Sequence, residues 1–342
     1  MRLKSIVIGF LTIVTIIACG GGGGGSSSPA PAPAPQPAPS VSISADPLSV
    51  LVGNSTSITW SSSNSTSCNG SGAWNGSKAT SGNEAVTINN TGDNVFTLNC
   101  TGSGGTRSAE VSVEGYEESS GVVADGYISG ASIFIDENEN YTLDEGESSS
   151  ITDNSGAFSV KKGAGNFISL GGRDFDTQNE VNNLLLIHKP VSELDFRAIT
   201  PITSVAAFLN EPSLIHDILG IDKTLDIYQI DPVANKGSGD IYDHFYEKGN
   251  QITVLVYSLQ TVVNELKTIT ETSEDYFRYL AEIIDDDFQN EGTVVDIENK
   301  ELIAKFIEKI SSEKSAEIDK ANMTLALSSV LPIIQVKESD EA

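Results

Sequence analysis

The feature that most constrains this chain is a change in the spacing of its apolar residues. Between Val41 and Val113 short runs alternate apolar and polar positions, and after Ile199 the repeat lengthens to that of a helix. Ile58 and Trp60 flank Thr59. Phe96, Leu98 and Cys100 alternate with Thr97 and Asn99, and Ala109, Val111 and Val113 alternate with Ser108, Glu110 and Glu114. A period of two sends successive side chains to opposite faces of a strand, so one face is buried. Several such runs, separated by Gly, Ser and Asn, predict a β-sandwich over 41–116. Gly102-Ser103-Gly104-Gly105 reads as the hairpin turn between the last two.

In the later part Ile252, Leu255, Val256, Leu259, Val262, Val263 and Leu266 fall on one face of a helix over Gln251–Lys267. A shorter helix is predicted from Pro212 through Leu214, Ile215, Ile218 and Leu219 to Gly220, where a glycine stops it. Thr272 to Asp275 has the spacing of a capping box ahead of Phe277, Leu280, Ile283 and Ile284. Leu302, Ile303, Phe306, Ile307 and Ile310 form a last stripe. Their polar faces are acidic, which suits water and not an anionic membrane surface. A helical domain over 196–342, packed on a second β domain, is the expectation.

Length predicts about two domains, and charge places their boundary. The net charge is −27. Residues 41–115 hold only Asp46, Glu84, Asp93, Glu110 and Glu114 as acids, so nearly all the negative charge follows. The shift marks a boundary near 115–121. An acidic surface disfavours nucleic acid as a partner and suits a protein that meets divalent cations.

The N-terminus carries Arg2 and Lys4, a mostly apolar run from Ile6 to Ile17, then Ala18 and Cys19. A basic head, a short apolar core and a small residue before the cut predict a secretory signal over 1–18. Ile16-Ile17-Ala18-Cys19 resembles the lipobox of bacterial lipoprotein signals. That resemblance implies cleavage before Cys19, a diacylglycerol on its thiol, and membrane attachment through the lipid. Gly20 after the cysteine, in place of Asp, fits the pattern of lipoproteins sent to the outer membrane. Residues 19–40 then read as a lipidated tether of glycine, serine and Pro-Ala repeats, too polar to build a core and extended where proline-rich. With Cys19 lipidated, Cys68 and Cys100 remain, and beyond the inner membrane two cysteines can pair.

SITWSSSNSTSCNGSGAWNG, followed by FTLNCTGSGG and an alternating last strand, resembles an immunoglobulin-like module of bacterial exported proteins. The resemblance implies a Cys68–Cys100 bridge, with Trp74 between the cysteines available to pack on it. Such modules act mostly as spacers and sometimes as binding surfaces.

The stretch with metal chemistry is Asp136 to Glu147, DENENYTLDEGE. Against the twelve-residue calcium loop, Asp136, Asn138 and Asn140 take positions 1, 3 and 5. Thr142 takes position 7 through its carbonyl, Asp144 position 9 and Glu147 position 12. Calcium takes six to eight hard oxygen ligands, which this spacing offers. Position 6 is Tyr141 where the EF-hand has glycine, and Ser132-Ile133-Phe134-Ile135 before it is strand-like. The expectation is therefore a calcium loop set in a β domain, with an unliganded acidic turn as the plain alternative. DGYISGASIFID together with the turn Thr152-Asp153-Asn154-Ser155-Gly156-Ala157-Phe158 resembles prealbumin-like β-sandwich repeats of surface proteins. These include carboxypeptidase-regulatory-like and collagen-adhesin B-type (Cna-B-like) domains, which implies such a domain over 117–195. FISLGGRDFDTQ and ITPITSVAAFL extend the similarity to N-terminal regions of large calcium-dependent adhesins.

No catalytic set stands out. His188, His216 and His244 lack zinc spacing, and no nucleophile elbow, phosphate loop or dinucleotide fingerprint occurs. Asp240 and His244 could share a helix face, and Asp285-Asp286-Asp287 reads as a solvated helix end. The expected architecture is thus multidomain: two β-sandwiches, then an α-helical domain. The expected role is non-enzymatic: a membrane-anchored, calcium-stabilised protein of adhesion or cell-envelope contact, with a glycan or protein ligand. A hydrolase of polysaccharide or peptidoglycan with a targeting module, and a structural subunit of an envelope complex, are the alternatives.

Overall fold

The computed structural model describes residues 34–190, 196–267 and 272–314. The signal segment, Cys19 and most of the tether lie outside them, as do residues 315–342 and the Leu266 side chain.

The first part is built of β1 (Ser40–Asp46), β2 (Ser49–Leu51), β3 (Ser55–Ser63), β4 (Ser67–Gly72), β5 (Gly76–Lys78), β6 (Ser81–Thr87), β7 (Gly92–Gly102) and β8 (Gly105–Tyr116). They form a three-stranded sheet, β1-β3-β6, facing a five-stranded one, β2-β8-β7-β4-β5. The inward positions of the alternating runs meet between them: Ile58 and Trp60 from one sheet, Phe96, Leu98, Cys100 and Val113 from the other. Trp74 fills the centre, edge-on to Trp60 at 5.1 Å and to Phe96 at 5.9 Å. Cys68 and Cys100 are bridged. They stand directly opposite each other on β4 and β7, so the bridge staples neighbouring strands of one sheet. Ser103 and Gly104 form the turn between β7 and β8, as the glycines predict.

The end of the tether lies along that hairpin. Asn64 donates to the Ala38 carbonyl at 3.3 Å, and a Cβ on Gly104 would sit 2.2 Å from the Pro37 oxygen. The chain enters there and leaves at the far end of β8, a path of about 35 Å at the usual strand rise. Only Glu117 separates β8 from β9 (Glu118–Val123).

The second part continues with β10 (Ile128–Ser129), β11 (Ser132–Asp136), β12 (Ser149–Ile151), β13 (Ala157–Lys161), β14 (Asn166–Leu170), β15 (Arg173–Asp174), β16 (Leu185–His188) and β17 (Phe196–Ile199). The sheets are β12-β11-β14-β16, β13-β9-β17 and the pair β10-β15. Then come α1 (Pro201–Ala206), a 3₁₀ turn at Pro212–Leu214, α2 (Ile215–Leu219), α3 (Pro232–Asn235), α4 (Asp240–Lys267), α5 (Glu274–Glu291) and α6 (Lys300–Lys314). Gly220 closes α2 at φ +68, as its position predicts.

One large apolar core joins these sheets and helices. It runs from Val123, Ile133 and Ile135 through Val205, Leu219 and Leu255 to Phe277, Phe306 and Ile310. It crosses the expected boundary at 195/196, and β17, beyond that boundary, pairs in parallel with β9. Among the described residues no helix is long and apolar enough to cross a membrane.

The helices also cover an open sheet edge. β16 is an edge strand, and an unpaired edge is a template for aggregation unless covered. Ser273 both accepts from the Leu185 N–H and donates to the Leu185 carbonyl, each at 2.8 Å. The Ser204 hydroxyl accepts from the Ile187 N–H at 2.9 Å, and Thr203 donates to the Ile187 carbonyl at 2.9 Å. These contacts correct one reading. Ser273 occupies the N-cap of α5 without a side-chain cap bond, so the Thr272–Asp275 capping box does not form. Its hydroxyl satisfies the strand edge instead. Asp285-Asp286-Asp287 is likewise not a helix end. It lies inside α5, where Asp287 pairs with Lys305 at 2.5 Å.

Candidate metal loop

β11 delivers the loop. Ile133, Phe134 and Ile135 are fully buried, which fixes the strand and carries Asp136 into the interior at its end. Asp136 is 0 % exposed, and no cationic side chain among the described residues pairs with it. A buried carboxylate requires compensation. Its oxygens accept from the Asn140 N–H at 3.2 Å and the Tyr141 N–H at 2.8 Å, folding the chain back over it.

The remaining loop residues repeat this pattern. Asn138 Oδ1 accepts from the Asn140 N–H at 3.1 Å, and Asn140 Oδ1 from the Thr142 N–H at 2.8 Å. Glu147 closes the turn by accepting from the N–H groups of Glu137 and Asp144, both at 3.0 Å. The amide groups of Asn138 and Asn140 each donate to Asp144 Oδ2 at 2.7 Å. Those two donors, Asn138 first, hold the Asp144 carboxyl below the usual carboxylate range. Asp136, Asn138, Asn140 and Glu147 are thus gathered in one turn by side-chain oxygens that accept backbone N–H groups, Asp144 by the two side-chain amides, and Thr142 by its N–H and hydroxyl on Asn140 Oδ1.

Tyr141 takes φ +61, the left-handed conformation that glycine supplies in an EF-hand. For a bulky residue this costs on the order of 1–2 kcal/mol. The surroundings hold it: the ring packs on Phe208 at 6.3 Å, beside the cluster of Phe134, Ile168, Leu185, Ile187 and Ala207. Burial, and then the charges of Glu139, Asp136 and Glu274, push its phenol up. Glu139 also has positive φ, at +60.

The donor set is oxygen only: three carboxylates, two amides and a backbone carbonyl, which suits calcium and not a soft metal. Among the described residues no three His, Cys, Asp or Glu side chains converge closely enough to hold a metal. Any cation in this loop would therefore depend on the amide oxygens and the Thr142 carbonyl as well as the acids.

Two neighbours escape a reading of the loop alone. Asn166 lies directly opposite Asp136 in the sheet register. It is 5 % exposed, and its Nδ2 has no hydrogen-bond partner. Gly165 admits no side chain, since a Cβ there would lie 2.4 Å from the Asp136 carbonyl oxygen. The turn that follows the loop forms as the sequence predicts. Asp153 Oδ1 accepts from the N–H groups of Ser155 at 2.8 Å and Ala157 at 3.0 Å, leading into β13.

The histidines do not assemble. His188 is fully buried between Phe167 and Tyr228, with Nδ1 3.1 Å from the Ala198 carbonyl oxygen. Burial pushes its pKa down to about 4. His216 Nε2 lies 3.0 Å from the Leu225 carbonyl oxygen, and His244 lies on α4. No protein-family model matches the chain, and no curated protein matches it.

Proposed function

We propose that this protein is a lipid-anchored, exported protein of the bacterial cell envelope that serves adhesion or envelope contact through a calcium-stabilised β domain. Cys19 carries the lipid in this reading, on the outer membrane. The 41–116 module is immunoglobulin-like and acts as a spacer. The following β domain is of the carboxypeptidase-regulatory or Cna-B-like kind. Asp136, Asn138, Asn140, Asp144 and Glu147 would hold calcium with the Thr142 carbonyl, and the ligand is a glycan or protein at the cell surface.

The observation that carries the reading is the path of the chain. A spacer needs its entry and exit at opposite ends. The tether reaches the first sandwich at the β7–β8 hairpin, and the chain leaves from the other end of β8 into β9 after one residue. Lys162 donates its N–H to the Glu117 carbonyl at 2.8 Å, and Lys161 forms an ion pair with Glu114, both at that exit. Such a junction holds the second part away from the anchor. Calcium would offset the charge of the buried Asp136 and the repulsion within the acidic loop.

Protease shaving of intact cells, with and without calcium, tests the proposal. Surface cleavage that calcium slows supports it. Full protection of the chain in intact cells, with cleavage only after lysis, overturns a surface role.

A further inference from the structure

We infer that cation binding in the 136–147 loop controls how firmly the α1 region and α5 dock on the β domain, with Tyr141 as the coupling residue. The inference rests on the calcium reading above and adds its consequence. Asn166 supplies a separate sign that the Asp136 site takes a ligand. Side chains directly opposite in a sheet share a face, so Asn166 stands on the same buried face of the sheet as Asp136. It is more than nine-tenths buried with Nδ2 unpartnered among the described residues, and an amide turned over presents an oxygen there.

The route is short. The Tyr141 N–H is bonded to Asp136 Oδ2, the oxygen of the first ligand position. The same residue's ring lies on Phe208, one residue beyond Ala207, the C-cap of α1. The ring also packs on the cluster that holds Leu185 and Ala207, and the Leu185 N–H is bonded to Ser273 at the start of α5. Phe208 and Leu209 close the last turn of α1 by donating their N–H groups to the Val205 and Ala206 carbonyls. α1 and α5 in turn hold the β16 edge through Ser204 and Ser273. A cation that fixes the Asp136 oxygens fixes the Tyr141 backbone, and a positive φ at a packed aromatic leaves the ring one direction. Ligand and docking then stabilise each other reciprocally. A glycine at position 6 would bind calcium without this consequence.

Hydrogen exchange of the full mature chain, in calcium, in magnesium and in chelator, tests this. In the wild type, calcium is expected to slow exchange within 136–147. It is also expected to slow exchange at Phe208, Leu209 and Leu185 by about fivefold or more. In Tyr141→Gly the loop amides still respond and the other three do not. Phe208→Ala makes the same comparison if the glycine variant fails to fold. A loop response without any change at Phe208, Leu209 and Leu185 overturns the coupling and leaves calcium binding standing. A response at those three that persists in both variants overturns the role of Tyr141. No loop response at all overturns the calcium reading and the inference with it.

Discussion

Replacing Cys68 and Cys100 together by alanine separates the two halves of the described chain energetically. The bridge joins residues 32 positions apart, so in the chain-entropy model its loss costs about 3.7 kcal/mol at 25 °C. Alanine is the right replacement because both sites are nearly sealed, and a serine hydroxyl at Cys100, 0 % exposed, would add an unmet hydrogen bond. A domain of this size shifts by roughly 4–8 °C per kcal/mol, so its melting transition falls by about 15–30 °C. The second part should barely follow. Its core from Val123 to Ile310 shares no residue with the core around Trp60 and Phe96. Two ion pairs that cross the junction, Lys161–Glu114 and Lys162–Glu117, are exposed and worth about 0–1 kcal/mol each. Differential scanning calorimetry of the mature chain, with and without the substitutions, resolves the outcome. One transition falls by 15 °C or more while the other moves by less than about 3 °C, the effect of under 1 kcal/mol. A fall below about 5 °C, or an equal fall of both transitions, refutes the reasoning.

Other perturbations probe single contacts. Gly104→Ala puts a Cβ 2.2 Å from the Pro37 oxygen, so the tether must lift off the hairpin. Proteinase K should then cut the 34–38 stretch faster while the sandwich keeps its melting temperature, and unchanged cutting contradicts that contact. His188 favours its neutral form when folded, with its pKa lowered from 6.5 to about 4 by burial. Between those two pH values the unfolded chain takes up a proton that the folded one refuses. Stability is therefore whole above pH 6.5, falls on acidification to about 4 by on the order of 3 kcal/mol, then levels off. Urea titrations across this range should show that step in the wild type and its absence in His188→Gln.

Legibility in the sequence followed the range of the interactions. Phe96, Leu98 and Cys100 are buried at alternate positions because the sandwich has one wet face, and that pattern needs no tertiary knowledge. Ile252, Leu255, Val256, Leu259 and Val263 are buried on α4 for the equivalent helical reason. The loop from Asp136 to Glu147 was legible as a turn with inward oxygens because its bonds are local. What failed was competition with distant partners. The sequence places the cap at Thr272, but the N-cap of α5 is Ser273, one residue later, whose hydroxyl is taken by the N–H and carbonyl of Leu185, far away in sequence. Leu184-Leu185-Leu186-Ile187 is apolar at every position, which period alone does not resolve into strand or helix. Nothing near Tyr141 in sequence announces Phe208, so a residue that looked unfavourable at position 6 proves to be held by packing. Asp285-Asp286-Asp287 reads as an end because acids often mark one, yet Lys305 on α6 supports the run inside α5.

The central claim is that the loop binds calcium and stabilises the domain that carries it. Calorimetric titration of the mature chain with calcium tests it most directly, alongside Asp136→Asn/Glu147→Gln and a control, Asp153→Asn, in the neighbouring turn. The account predicts a single binding heat in the wild type and the control, absent in the double variant. It also predicts a stabilisation of about 2.7 kcal/mol at a hundredfold excess over Kd, read as a rise in melting temperature of the second transition. No heat and no rise in millimolar calcium, or a heat that survives the double substitution, contradicts it.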